Sequence, residues 1–245
     1  MDSRKNTITF ITWLWDGWRN VYNEKHVAAL RNMLSEHAPD HRLIAVSDHP
    51  IEVKDVIYYP MWEHPIPDPT GLKANCFARL RLFDPIFSAR FGSRLVSIDL
   101  DVLIQKDMRR MFRGSPDFRA VRGESAIFNG SMYELRQGAF PEVWRTFAQN
   151  PTGAVDTLIR AKECGLKVNG SDQGWLSLKI DHSLAQVWDE SDGVFHWSQN
   201  KYSDRRGRLP DAAMICFAGG VKPWDSECRR ITPQIHKRYM EYYNA

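Results

Sequence analysis

The sequence predicts an α/β fold in which one mostly parallel sheet is flanked by helices. Short runs rich in Val, Ile and Thr alternate with amphipathic helical patterns from residue 7 onward, and this alternation is typical of parallel sheets. The 245 residues, 43% hydrophobic and 26% charged, can bury the core of one large domain or two small ones. No internal repeat, low-complexity tract or clear interdomain linker occurs, so we expect a single domain spanning residues 1–245.

The first hundred residues predict four strands and two helices. The helix 24–37 places Val27, Leu30 and Leu34 on one face and ends before Pro39. Residues 60–70 hold four prolines and are predicted to form a loop. The predicted elements are strands 7–15, 41–48, 53–59 and 94–102, helix 24–37, and helix 72–89 with a second helix start at Asp84-Pro85.

The second half of the chain continues the alternation. Ser171-Asp172 precedes an apolar run and is typical of a helix N-cap. The predicted elements are helical turns at 106–112, strands 118–122 and 125–135, helices 140–149, 155–164 and 173–179, strands 184–188 and 212–217, and helix 232–243.

The predicted strand 94–102 ends in two carboxylates, Asp99 and Asp101, on either side of Leu100. In an extended chain alternate side chains share a face, so both carboxylates would point the same way while Leu100 points inward. Two like charges this close repel unless a cation lies between them. Mg²⁺ or Mn²⁺ is the natural partner because hard cations prefer oxygen ligands. The pattern fits two solvated aspartates equally well, and these residues alone do not decide.

Residues with polar groups also lie toward the ends of other predicted strands: Thr12, Trp13, Asp48, Asn129 and Ser131. In doubly wound sheets the carboxyl ends of the strands meet at one ligand-binding cleft. The alternative is that strand ends are polar only because loops are.

Five motifs, in order, resemble those of GT-A glycosyltransferases. The nearest branch includes glycogenin and the bacterial lipopolysaccharide galactosyl- and glucosyltransferases. Residues 96–103 resemble the strand that carries the DxD pair in this family. The other four segments are 79–83 (an arginine-bearing helix), 128–132 (F-N-G), 170–173 (D-Q) and 217–224 (G-x-x-K-P-W, from Gly219).

The resemblance implies a nucleotide-sugar donor, with a UDP-sugar expected, and transfer of its sugar to an acceptor hydroxyl with retention of configuration. It implies Mn²⁺ or Mg²⁺ on Asp99 and Asp101, a nucleotide-binding half over about residues 1–105 and an acceptor-binding half over about 106–245. The residues implied to contact the donor are Thr12, Trp13, Trp15, Asp48, Arg79, Leu100, Gly219 and Lys222, and those implied at the reacting end are Asp172, Gln173 and Asn129.

Each of these residues also has an ordinary structural interpretation. The two tryptophans can be core residues, Arg79 and Lys222 can be solvated, Asp172 can simply cap its helix, and Asn129 can be a turn residue beside Gly130.

One position departs from the family pattern. The family has a metal-binding His where this chain has Cys216, and a thiolate is a poor ligand for Mg²⁺ or Mn²⁺. We therefore expect a metal held by the two aspartates, the diphosphate and water. His182 and His196 are the alternative third ligands.

The acceptor is less constrained by the sequence. Residues 203–208 and the C-terminal segment combine basic and aromatic residues, which suits a phosphate-bearing acceptor such as lipopolysaccharide, teichoic acid or hydroxymethylated DNA. The alternative is a solvated charged surface. The N-terminus carries no signal-peptide pattern and the four cysteines form no CxxC pair, so a reduced, cytoplasmic protein is expected.

Two other functional classes remain as alternatives. A nucleotide-sugar-binding module without transfer activity is favoured by the missing His. A nucleotidyl- or phosphotransferase would also use paired aspartates, but no Gly-rich phosphate loop is present.

Overall fold

A computed structural model describes residues 7–15, 22–61, 76–197, 208–217 and 220–245. The strands in these ranges are β1 Ile8–Leu14, β2 His41–Ser47, β3 Val56–Pro60, β4 Arg94–Ile98, β5 Val102–Ile104, β6 Phe118–Arg122, β7 Phe128–Arg136, β8 Gln186–Trp188, β9 Val194–Trp197 and β10 Met214–Phe217. The α-helices are α1 Glu24–His37, α2 Pro85–Ser88, α3 Pro141–Gln149, α4 Pro151–Glu163, α5 Asp172–Lys179, α6 Ser226–Ile231 and α7 Pro233–Asn244. A long 3₁₀ helix spans Cys76–Phe83.

The central sheet has seven strands in the order β3-β2-β1-β4-β7-β6-β8. β1 lies between β2 and β4 and is parallel to both. All seven of its residues are buried, as expected for a strand covered on both faces. β7 is antiparallel to β4 and β6. The predicted α/β fold with a mostly parallel sheet is confirmed.

A smaller sheet, in the order β5-β10-β9, lies beside the main one. Two apolar clusters cover the main sheet. One includes Val27, Leu30 and Leu34 of α1 together with residues of α7, so the predicted apolar face of this helix is confirmed. The other contains the 3₁₀ helix and residues of α3, α4 and α5.

The prediction that one strand runs through residues 94–102 is wrong. β4 ends at Ile98, and Val102 begins β5 in the smaller sheet. Asp99, Leu100 and Asp101 therefore form the connection between the two sheets. The error arises because Leu100 is buried, at 4% exposure, and keeps the alternation of a continuous strand.

Other elements differ in type. The helix predicted over residues 72–89 is, in its described part, a 3₁₀ helix followed by α2. The predicted second start at Asp84-Pro85 is confirmed, because Asp84 caps α2 by accepting the Ile86 N–H at 2.9 Å. Residues 106–112 form turns rather than helix, and β9 and α6 were not predicted. In the part of the chain described, no helix has the length and apolar composition needed to span a bilayer.

Candidate active site

A cavity of about 500 Å³, called the main cavity below, opens beside the ends of β1 and β4. Its lining combines polar and aromatic side chains from both sheets. It brings together ten of the residues predicted from the sequence: Trp13, Trp15, Arg79, Asp99, Leu100, Asp101, Asn129, Ser131, Gln173 and Lys222. The position at strand ends agrees with the cleft expected for this sheet type.

The other predicted residues lie elsewhere or outside the described ranges. Thr12 is fully buried in β1 and is not among the described lining residues. Asp48 contacts the His49 ring at 2.8 Å and is likewise not among them. Asp172 lies directly behind the cavity wall with 0% exposure. Gly219 falls outside the described residues.

The Asp101 carboxylate is held by two side chains from distant parts of the chain. Its Oδ2 accepts from Lys222 Nζ at 2.5 Å and from the Tyr22 hydroxyl at 3.1 Å. These contacts fix the carboxylate at 5% exposure. Lys222 is therefore not the solvated surface lysine that the sequence also allowed.

Asp99 is the second carboxylate and pairs with the Arg79 guanidinium. Burial raises the pKa of Asp99 to about 6, Arg79 opposes that rise, and the Asp101 and Asp172 carboxylates add to it. Asp99 therefore lies in a crowded anionic setting with one direct cation.

Arg79 connects Asp99, which follows β4, to Asp172 at the start of α5. It pairs with Asp99, its Nη2 lies 2.8 Å from Asp172 Oδ2, and its Nη1 donates to the Gly130 carbonyl at 2.9 Å. The side chain is 7% exposed, so the solvated interpretation is excluded. An added Cβ at Gly130 would lie 2.9 Å from Arg79 Nη2, which explains why glycine stands there.

Asp172 is the first residue of α5, and its carboxylate is an ion-pair partner rather than the helix cap. The N-cap residue Ser171 makes no side-chain capping bond. A carboxylate at a helix N-terminus is also favoured by the helix dipole. Asp172 thus stays close to Arg79, while its neighbour Gln173 lines the cavity.

The donors available for a divalent cation are the two carboxylates of Asp99 and Asp101. Among the described residues no group of three or more His, Cys, Asp or Glu side chains could hold a metal. Burial raises the pKa of the Cys216 thiol, and the nearby carboxylates of Asp99 and Asp101 raise it further. The thiol therefore stays protonated. His182 bonds the Ser177 carbonyl and does not line the cavity, whereas His196 lines it but bonds the Arg122 carbonyl. Two carboxylates fit a Mg²⁺-type ion that takes its other ligands from phosphate and water.

Trp13 and Trp15 lie at the boundary between an apolar cluster and the main cavity. Trp13 is 7% exposed and packs in an apolar cluster, yet both Trp13 and Trp15 line the cavity. An aromatic wall of this kind can receive a planar base while remaining part of the core.

Sequence reasoning missed six lining residues: Leu14, Tyr22, Cys76, Glu124, Ser125 and Asn169. Tyr22 reaches Asp101 across 79 positions of sequence, and nothing in a local pattern indicates such a contact. Burial raises the pKa of the Cys76 thiol to about 12, and the nearby Asp172 carboxylate adds to the rise. The only available signal was the position of Asn169, three residues before the predicted D-Q motif.

Several basic residues suggested for a phosphate-bearing acceptor are engaged in ion pairs. Arg208 lies 2.8 Å from Glu190, and Arg238 lies within 3.3 Å of both Glu36 and Glu241. Residues 203–207 of the basic loop fall outside the described ranges.

Solved structures of glycosyltransferases share this fold. The galactosyltransferase LgtC, solved with donor and acceptor sugar analogues, is similar over 96% of this chain and 95% of its own, with a TM-score of 0.59 and 11% identity. The glycosyltransferase GlyE of Streptococcus pneumoniae TIGR4 matches 97% of this chain and 63% of its own, with a TM-score of 0.58 and 13% identity. Mouse xyloside xylosyltransferase 1 matches 88% of this chain and 96% of its own, with a TM-score of 0.51 and 13% identity.

No protein-family model and no curated protein sequence matches the chain. At these identities the structural similarity establishes the fold, and it is the GT-A fold predicted from the sequence motifs.

Proposed function

We propose that this protein is a glycosyltransferase that binds a nucleotide sugar, most simply a UDP-sugar, in the main cavity and transfers the sugar to an acceptor hydroxyl. The observation that carries the proposal is the bridge Asp99–Arg79–Asp172, in which Arg79 and Asp172 are buried. It ties the carboxylates suited to a diphosphate-bound cation to the helix start that bears Gln173. The fold shared with solved glycosyltransferases supports the same activity.

The donor diphosphate belongs beside Lys222 and the two cavity aspartates. A nucleoside diphosphate leaving group develops negative charge, and preorganised cations beside it lower the barrier. Lys222 Nζ already lies at the cavity, 2.5 Å from Asp101. The base of the nucleotide would lie against Trp13 and Trp15.

The charges of the site favour a bound divalent cation. The carboxylates of Asp99, Asp101 and Asp172 outnumber the two cations Arg79 and Lys222, each of which is already paired. A diphosphate would add further negative charge. We therefore propose that Asp99 and Asp101 hold Mn²⁺ or Mg²⁺, which would act as a Lewis acid on the diphosphate.

The reacting end lies at the start of α5. Gln173 and Asn129 line the cavity and are placed to bind sugar hydroxyls. Asp172 is fully buried against Arg79, so its proposed role is electrostatic, through Arg79. We propose retention of the anomeric configuration on the basis of the family resemblance.

For the acceptor we propose a saccharide. Among the described basic residues suggested for a phosphate-bearing acceptor, Arg208, Arg230 and Arg238 are each paired with a carboxylate, whereas nucleic-acid binding uses cations that are available to the phosphates along a backbone. Hydroxymethylated DNA is the alternative acceptor, and the same assay tests it.

The test is a screen of nucleotide sugars that measures donor hydrolysis and transfer, with and without Mn²⁺, to a saccharide and to hydroxymethylated duplex DNA. We expect metal-stimulated turnover that falls by about 100-fold or more in Asp101→Ala. Asp107→Ala is the matched control because Asp107 is exposed and pairs only with Arg109 among its described contacts. Tight donor binding without hydrolysis or transfer would instead identify a nucleotide-sugar-binding module.

A further inference from the structure

Asn169 lies in the connection between α4 and α5, and two hydrogen-bond donors fix the orientation of its side chain. Its Oδ1 accepts the Gly174 main-chain N–H at 3.0 Å and the Ser171 hydroxyl at 2.7 Å. A main-chain N–H can only donate, so the atom facing it must be the amide oxygen. Asn169 thereby caps the third N–H of α5, which the Ser171 side chain does not.

The other end of the same amide faces Gln173. Asn169 Nδ2 lies 3.3 Å from Gln173 Oε1 and 3.3 Å from Ser125 Oγ. Because Nδ2 can only donate, the Gln173 atom beside it must be the carbonyl oxygen. The Gly174 N–H therefore sets the orientation of the Asn169 side-chain amide, and that amide sets the orientation of the Gln173 side-chain amide. We call these linked contacts the hydrogen-bond relay.

Close packing holds the Asn169 main chain and the Gln173 side chain in place. An added Cβ at Gly174 would lie 1.9 Å from the main-chain carbonyl oxygen of Asn169, and one at Gly130 would lie 3.1 Å from Gln173 Cγ. Glycine at these two positions lets the segments approach each other. Asn169 and Gln173 both line the main cavity.

We infer that Asn169 is a positioning residue that fixes the Gln173 carboxamide so that its Nε2 is the group left for substrate. Gln173 then donates N–H bonds to an oxygen of the bound sugar or of its leaving group. The inference rests on the proposed function for its effect on catalysis, while the hydrogen-bond relay itself does not depend on that function.

Asn169→Asp separates the two halves of the relay. The aspartate keeps an oxygen for the Gly174 N–H and the Ser171 hydroxyl, but it presents a second acceptor to Gln173. The Gln173 amide must then turn its Nε2 toward residue 169 and its oxygen toward substrate. We expect kcat to fall roughly 10-fold while the donor KM changes less than about 3-fold.

Asn150→Asp is the matched control. Asn150 caps α4 in the same manner, with its Oδ1 accepting the Gly153 N–H at 2.9 Å, and it does not line the main cavity. The kinetic parameters of this variant should equal those of the wild type, since the same substitution is made at a residue that neither contacts Gln173 nor lines the cavity.

The side-chain amide resonance of Gln173 gives a readout independent of turnover. It is assigned in a ¹⁵N–¹H correlation spectrum by its loss in Gln173→Glu, and it should shift in Asn169→Asp but not in Asn150→Asp. In the Gln173→Ala background, Asn169→Asp should cause no further loss of kcat.

Two results would overturn the inference: a Gln173 resonance that does not move in Asn169→Asp, or losses of kcat that multiply in the double variant. A resonance that moves in a protein that transfers no sugar would support the relay and refute the proposed function.

Discussion

Replacing Arg79 by methionine should strongly destabilise the fold. The substitution keeps much of the side-chain volume but leaves the Asp172 carboxylate, at 0% exposure, without its cation. Removing one partner of a buried pair costs about 3–5 kcal/mol because the remaining charge cannot be resolvated. For a chain of this size that corresponds to a fall in Tm of roughly 6–20 °C.

The assay is thermal and urea unfolding at pH 7, with two further variants. Asp172→Asn in the Arg79→Met background removes the stranded charge and should restore most of the lost stability. Arg136→Met is the exposed control: Arg136 and Asp117 lie 2.6 Å apart but are each more than half exposed, at 53% and 52%, so it should cost less than ~1 kcal/mol. If Arg79→Met costs no more than this control, or if Asp172→Asn brings no recovery, the buried bridge does not stabilise the fold.

Two further predictions concern stability. Burial lowers the pKa of His26 from 6.5 to about 4. As the pH falls from 6.5 to about 4, the unfolded chain therefore binds a proton at His26 that the folded chain does not bind. The free energy of unfolding should fall by on the order of 3 kcal/mol over this pH range. His26→Gln keeps a capping acceptor for the Asn23 N–H and should flatten the pH dependence of the free energy of unfolding measured with urea. Parallel plots of that free energy against pH for the variant and the wild type would contradict the prediction. Gly174→Ala should cost about 1–3 kcal/mol because its Cβ would meet the Asn169 carbonyl. Gly170→Ala, with nothing within 4 Å of its Cβ, should be neutral, and equal Tm values for the two variants would refute the close contact.

Local patterns were sufficient for much of the fold. The apolar spacing of helix 24–37 predicts α1 with its observed bounds, and the β-branched runs predict β1, β2 and β6 within one residue at each end. β9 was missed because only four residues form it and its stability depends on β10, about twenty residues later. The path from Asp99 to Asp101 was misjudged because a buried Leu100 is equally compatible with a strand and with a crossing between sheets.

The sequence motifs located many of the residues that line the main cavity, but not the remote residues that contact them. The motifs located Arg79, Asp99 and Gln173, since each lies in a short recognisable segment. The groups that hold these side chains come from remote segments: Tyr22 contacts Asp101 from 79 positions away, and Asn169 reaches Gln173 only because α5 begins between them. Such contacts depend on tertiary geometry, which single-sequence periodicity does not encode.

Under the proposed function, a site with only two carboxylate ligands predicts that the cation and the donor diphosphate bind cooperatively. With Cys216 in place of a third ligand, Asp99 and Asp101 alone offer a cation few of the six oxygens that Mg²⁺ requires. A donor diphosphate would supply further oxygens, while the cation would offset the charge that Lys222 and Arg79, already paired, leave uncompensated. Under the proposed function each ligand would provide what the other lacks, so we expect each to strengthen the binding of the other, with the same coupling free energy in both directions. Lys222 and Tyr22 keep the Asp101 carboxylate in place before either arrives, so less ordering remains to oppose the joint binding.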